Sequence, residues 1–267
     1  MRPLSGCTAL VTGATGMLGC AVARRLAAHG MRLVLTGRDP ARLAAAAAEI
    51  GGAVADTVLC DLHDATQVGA LAARATHVDA LVHLAAVERV APFTELTADD
   101  IRAHTAIDLT APLLLVRELL PGMLARRRGH VLLVGSLGAL TGGAYQVPYT
   151  AAKAGTDAAV RALRAEFAGR GVGFSAVHPA PIRGAGAYAR RVARCGPAPR
   201  PVGETTPDEV AAAIVAAIRH DREQVIVGRR SARALIALRA LAPRTAAQAV
   251  RAAGATRYFA RVAQEER

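Results

Sequence analysis

Three side chains in the middle of the chain could move a proton to or from one oxygen. Tyr149 and Lys153 stand four residues apart in Tyr149-Thr150-Ala151-Ala152-Lys153, and Ser136 lies thirteen residues before the tyrosine. The alanine content predicts a helix from Tyr149, and in a helix positions i and i+4 share a face, so phenol and ammonium point into the same space. A neighbouring cation favours phenolate, drawing a tyrosine from about 10 toward the range where it exchanges a proton at neutral pH. Lys153 is the only lysine in a chain that otherwise carries its positive charge on arginine. A compact ammonium kept at this one place suggests a task that the planar guanidinium does badly.

Such a group needs elements to position it, and the N-terminal third supplies the pattern. An apolar strand over residues 7–11 runs into Thr12-Gly13-Ala14-Thr15-Gly16-Met17-Leu18-Gly19, and then into an apolar helix over 20–28 stopped by Gly30. Strand, glycine turn and helix N-terminus in that order make an anion cradle from Gly13, Thr15, Gly16, Met17, Leu18 and Gly19. Backbone N–H groups there approach a pyrophosphate with no Cβ between, and the helix dipole favours the charge.

A second strand over 31–36 ends at Gly37-Arg38-Asp39, where a dinucleotide fold discriminates its cofactor. No acid stands at Thr36 or Gly37 to bind a ribose hydroxyl, and Arg38 can pair with a 2′-phosphate, so NADP(H) is preferred over NAD(H). The bland alternative is that Arg38 merely meets solvent at a strand end. Asp61 and Leu62 follow a third strand that ends at Cys60. Asp61 can accept from an adenine amino group, or it can cap the next helix. A fourth strand over 79–84 closes on His83-Leu84-Ala85-Ala86, whose small Ala85 and Ala86 admit a ligand close to the backbone. His83 reads as a hydrogen-bonded core residue.

Alternation of strand and helix continues to the end, which implies an α/β fold: one doubly wound, three-layer Rossmann-type parallel sheet of about seven strands in a single domain. A Thr97-x-x-Asp100 cap opens a long helical pattern to about residue 127, with Pro112 expected to bend or interrupt it. The strand over 130–135 then delivers Ser136 to the sheet's carboxyl edge, where ligands of such folds sit.

These stretches together resemble the short-chain dehydrogenase/reductase family over nearly the whole chain: the TGATGMLG turn, Arg38, Asp61, HLAA, Ser136, YTAAK, and His178-Pro179 after a further strand. The resemblance implies that Tyr149 is the general acid/base. It implies that Lys153 lowers the Tyr149 pKa and binds the nicotinamide ribose, that Ser136 holds the substrate oxygen, and that Pro179 to Ile182 meet the nicotinamide end. It also implies a homodimer or homotetramer built through long helices. The expected activity is NADPH-dependent reduction of a ketone, or oxidation of a secondary alcohol, in which an acid and a hydrogen-bond donor converge on one oxygen.

The chain departs from the single-domain branch of that family at several positions. The Gly16-Met17 spacing and HLAA follow the extended branch, many of whose members are epimerases or dehydratases. Asp108 stands where the family keeps an asparagine, and a carboxylate there would pair with Lys153. Ala180 and Gly184 replace a glycine and a threonine. A redox-neutral epimerase, dehydratase or cyclase using Tyr149 for proton transfer therefore stays open, as does a nucleotide-binding scaffold.

Composition sets the outer limits. The chain has 267 residues, 52% of them hydrophobic, and a net charge of +12. That charge is spread and not interleaved with aromatics, so a nucleic-acid partner is not expected. Cys7, Cys20, Cys60 and Cys195 lack metal-ligand spacing; no metal is expected, and the cysteines read as buried small hydrophobes of a cytoplasmic protein. Residues 183–207, rich in Gly, Arg and Pro, suggest a flexible lid or a plain solvent loop. The basic tail over 229–267 can lie on a membrane, but packing on its own domain or a sister subunit is the expectation.

Overall fold

Seven apolar runs pair side by side in the computed structural model, which describes residues 3–184, 186–199 and 202–266. The strands are β1 (Thr8–Thr12), β2 (Arg32–Gly37), β3 (Val54–Leu59), β4 (Ala80–His83), β5 (Gly129–Val134), β6 (Val172–Pro179) and β7 (Gln224–Val227). They are all parallel, in the order β3-β2-β1-β4-β5-β6-β7. Helices on both faces explain why the central strands read as continuous apolar runs: β4, β5 and β6 are buried along their whole length.

The flanking helices are α1 (Met17–Ala28), α2 (Pro40–Ile50), α3 (Ala65–Arg74), α4 (Ala98–Thr105), α5 (Ala111–Ala125), α6 (Leu137–Thr141), α7 (Val147–Glu166), α8 (Gly186–Cys195) and α9 (Pro207–His220). On one face, Val22 and Leu26 of α1, Leu43 of α2 and Ile214 of α9 pack on Leu33, Val82 and Val177. On the other, Leu71 of α3, Leu115 and Leu119 of α5 and Val160 of α7 pack on Leu10, Leu81 and Leu133. The strand order reverses direction between β1 and β4, and a crevice opens at their carboxyl ends.

The long helix expected from Thr97 is interrupted as Pro112 predicts. Thr97 and Asp100 form the capping box of α4, and a π-helical turn over Ala106–Thr110 separates it from α5. Pro112 has no N–H to return to the preceding turn, and that turn widens. Asp108 sits in it, turned inward and fully buried.

The C-terminal third is mostly helical. The stretch 183–207 is not a plain loop: α8 occupies ten of its residues and buries Tyr188 and Arg191; Ala185, Arg200 and Pro201 of the expected lid lie outside the described residues. The tail forms three helices, α10 (Arg230–Leu241), α11 (Pro243–Ala252) and α12 (Ala255–Glu265). Tyr258 and Val262 of α12 pack with Tyr188 and Val90, so this apolar face is spent within the domain. No helix among the described residues is long and apolar enough to cross a membrane. All four cysteines are free, with Cys7 and Cys60 buried and Cys20 and Cys195 only half-buried.

Candidate active site

A single cavity of about 620 Å³ runs along the crevice. Its walls include Gly13, Thr15, Gly16, Met17, Leu18, Gly19, Arg38, Asp61, Leu62, Ala85, Ala86, Ser136, Tyr149, Pro179 and Ile182, so fifteen positions picked from sequence converge on one space. The turn after β1 fits a dinucleotide on its own geometry. A Cβ on Gly19 would lie 2.2 Å from the Gly13 carbonyl oxygen, and one on Gly13 would lie 2.8 Å from the Ala85 nitrogen. A Cβ on Gly16 would meet only Gly13 O, at 3.6 Å, and would otherwise fill the cradle. No side chain caps the N-terminus of α1, which leaves its first-turn N–H groups to an anion.

One end of the cavity is drawn by the segments that follow β2 and β3. Arg38 lines the cavity beside Arg42, whose Nη2 donates to the Thr15 carbonyl at 3.0 Å. Sequence reasoning missed Arg42; its signal was the place in the first turn of α2, just after the Asp39 N-cap. Asp61 is not the cap of α3. That role belongs to Asp64, which accepts from the N–H groups of Thr66 and Gln67, and Asp61 is left to face the cavity.

At the other end β5 and α7 bring Ser136 and Tyr149 together. Ser136 is the N-cap of the short α6, its Oγ accepting from Gly138 N–H at 3.1 Å. The Ser136 carbonyl is held by His178 Nδ1 at 3.2 Å, and His178 Nε2 meets Asp157 Oδ1 of α7 at 2.9 Å. Strand β6 thereby ties the serine's backbone to the helix that carries the tyrosine.

Lys153 and Asp108 do not reach the cavity wall. Lys153 is 1% exposed; its Nζ donates to the Val134 carbonyl at 3.1 Å and faces Asp108 Oδ1 at 3.8 Å, while standing 6.0 Å from the Tyr149 ring centroid. Burial lowers the Lys153 pKa, against the pull of Asp108. Burial raises the Asp108 carboxyl to about 6, with Lys153 and the Val87 N–H pulling it back. Burial likewise pushes the Tyr149 phenol up, Glu88 adding in the same direction and Ser136 opposing. Desolvation and the Glu88 carboxylate set the direction of the Tyr149 shift, and Asp108 adds to it. His83 is the core residue expected, its Nδ1 bonded to Thr12 Oγ1 at 2.9 Å and its pKa lowered to about 3 by burial and Lys153.

Above Tyr149 lies a group that the sequence did not mark. Glu88, after β4, accepts from Gln146 Nε2 and from Arg191 Nη1, the latter at 2.6 Å, and Arg191 Nε reaches Glu266 Oε1 at 2.7 Å. Phe259, Val250 and Leu235 from the three tail helices line the same space. Nothing in the local pattern says that α8 and α12 meet.

The comparisons with known proteins agree with this geometry. The model of the short chain dehydrogenase family matches residues 7–192. This chain belongs to the short-chain dehydrogenase/reductase family. It is 33% identical over 234 residues to the ketoacyl reductase HetN of Nostoc sp., covering 85% of this chain and 80% of that one. A solved short chain dehydrogenase/reductase family protein superposes with a TM-score of 0.78 at 31% identity, over 85% of this chain and 97% of that one. A 3-oxoacyl (acyl-carrier-protein) reductase of Agrobacterium tumefaciens, solved with NADP bound, gives a TM-score of 0.77 at 27% identity, over 84% of this chain and 93% of its own. The protein is accordingly an NAD(P)-dependent oxidoreductase.

Proposed function

We propose that the protein uses NADPH to reduce a ketone to a secondary alcohol, with Tyr149 as the acid. The carrying observation is that Ser136 and Tyr149, from different elements, line one cavity with the glycine cradle. The nicotinamide supplies a hydride when bound. The chain's own part is to bring a proton and a hydrogen-bond donor to the developing oxyanion. The Tyr149 phenol, held protonated by burial and by Glu88, gives its proton to that oxygen, and the Ser136 hydroxyl orients it. Lys153, held by the Val134 carbonyl and faced by Asp108, would order the cavity floor from beneath when the cofactor is bound. Pro179 and Ile182 wall the nicotinamide end, while Asp61, Leu62, Ala85 and Ala86 wall the adenosine side.

Preference for NADP(H) rests on Arg38 and Arg42 together, two cations with no acid at Thr36 or Gly37. Assembly as a homodimer or homotetramer through α5 and α7, where Leu113 and Val147 are exposed, and a cytoplasmic setting, in keeping with four free thiols, belong to the same reading. Following NADPH absorbance with a ketone panel tests it. Tyr149→Phe should lower turnover about 10²–10⁴-fold with cofactor affinity kept; unchanged turnover, or conversion without cofactor oxidation, refutes it.

A further inference from the structure

The chamber above Tyr149 carries one charged cluster, and that cluster is incomplete. Arg191 is 4% exposed and lines the cavity. Two of its guanidinium nitrogens are taken by Glu88 and Glu266, while Nη2 has no hydrogen-bond partner among the described residues. A buried guanidinium N–H without an acceptor costs free energy, and a ligand that brings one recovers it. The charge around it decides what kind of acceptor fits. Two carboxylates already face one guanidinium, Arg191 Nη1 to Glu88 at 2.6 Å and Nε to Glu266 at 2.7 Å. A third carboxylate, or a phosphate, would add to an excess of negative charge around one guanidinium. An uncharged oxygen would not.

The cluster is held from three directions, so it is a built feature rather than a stray side chain. Gln146, just before α7, donates to Glu88. Glu266 also accepts from the Val90 N–H through Oε2, at 3.2 Å. Tyr188, one turn before Arg191, has its hydroxyl fixed between Glu204 and the Ala198 N–H. The helices that complete the enclosure follow β7.

We propose that the substrate is a largely apolar ketone carrying a second, uncharged hydrogen-bond acceptor, an ester, thioester or hydroxyl oxygen, and that Arg191 receives this second oxygen. The inference rests on reading the cleft as a ketone site. The reacting carbonyl lies at Ser136 and Tyr149, the hydrocarbon lies against Phe259, Val250 and Leu235, and Arg191 selects for the second oxygen. Because the guanidinium is a fixed fork already committed on two sides, lysine cannot replace it.

Binding in the presence of NADP⁺, which cannot reduce a ketone, tests this by calorimetry independently of turnover. The probes are heptan-2-one, methyl keto esters with the ester one to three carbons from the ketone, and the matching keto carboxylates. In the wild type the best keto ester should bind about tenfold or more tightly than heptan-2-one, as expected for a hydrogen bond to a charged donor, and the carboxylate should bind more weakly than its ester. In Arg191→Lys the ester-to-ketone ratio should fall to within about twofold. Equal binding of ester and plain ketone by the wild type, tighter binding of the carboxylate, or an unchanged ratio in Arg191→Lys overturns the inference. The wild-type arms stand even if the variant fails to fold. NADPH oxidation on the same probes tests the reductase reading separately: selectivity without turnover refutes that reading alone, and turnover without selectivity refutes this inference alone.

Discussion

Replacing Asp108 by asparagine should make the protein more stable, although it removes one half of a buried ion pair. The pair's attraction across 3.8 Å is worth about 4 kcal/mol at an effective dielectric of 20. Desolvation wins nonetheless, since the Asp108 carboxyl is raised from 3.8 to about 6 with Lys153 already pulling the other way. The sign follows from that rise. The folded protein holds the proton more tightly than the unfolded chain, so the ionised carboxylate costs stability: fully above about pH 6, progressively less toward the unfolded value, and not at all below it. Asparagine cannot ionise, keeps an Oδ1 to accept the Val87 N–H, and matches the neutral acid in shape. The difference between variant and wild type should be ~3 kcal/mol in favour of Asp108→Asn at pH 8 and about half of that at pH 5. In the variant Lys153 loses the partner that raises its pKa, and a lysine whose pKa is lowered further also gains stability as pH rises, in the same direction. Urea unfolding followed by far-UV circular dichroism at both pH values measures the difference. A variant less stable at pH 8, or a difference that does not change with pH, refutes the claim that burial outweighs the pair.

Gly19→Ala should cost at least about tenfold in NADPH affinity by fluorescence titration, because its Cβ would lie 2.2 Å from the Gly13 carbonyl and only a shift of the cradle relieves it. Arg38→Leu should weaken NADPH about ten- to a hundredfold with NADH little changed; equal losses for both would remove Arg38 from the 2′-phosphate. Glu88→Gln removes a carboxylate that raises the Tyr149 phenol, so the alkaline limb of the pH–rate profile should move to lower pH. A limb that stays in place or moves up would show that Glu88 does not act on the phenol.

What could be read from the sequence was whatever repeats at short range. Apolar runs of strand length alternating with helical patterns gave the sheet and its layers, since a strand covered on both faces must be apolar throughout. The glycines of the first turn announced the cradle, because only a residue without Cβ tolerates a carbonyl where Gly19 meets Gly13. Tyr149 and Lys153 were legible because one helical turn joins them, and even the break at Pro112 followed from a missing N–H. Direction and charge were another matter. Helical spacing put phenol and ammonium on one face, and an acid at Asp108 announced a partner for Lys153, but neither could say that the ammonium would also turn to the Val134 carbonyl, a choice made by depth of burial. Nor could a pattern of arginines single out Arg191 from its neighbours. Its partners Glu88 and Glu266 are separated from it by 103 and 75 residues, and only the packing of α8 against α12 brings the three together. Local sequence fixed the elements and the cradle; the tertiary structure decided which charges lose their water and which partners they find, and those two quantities set the chemistry of the chamber.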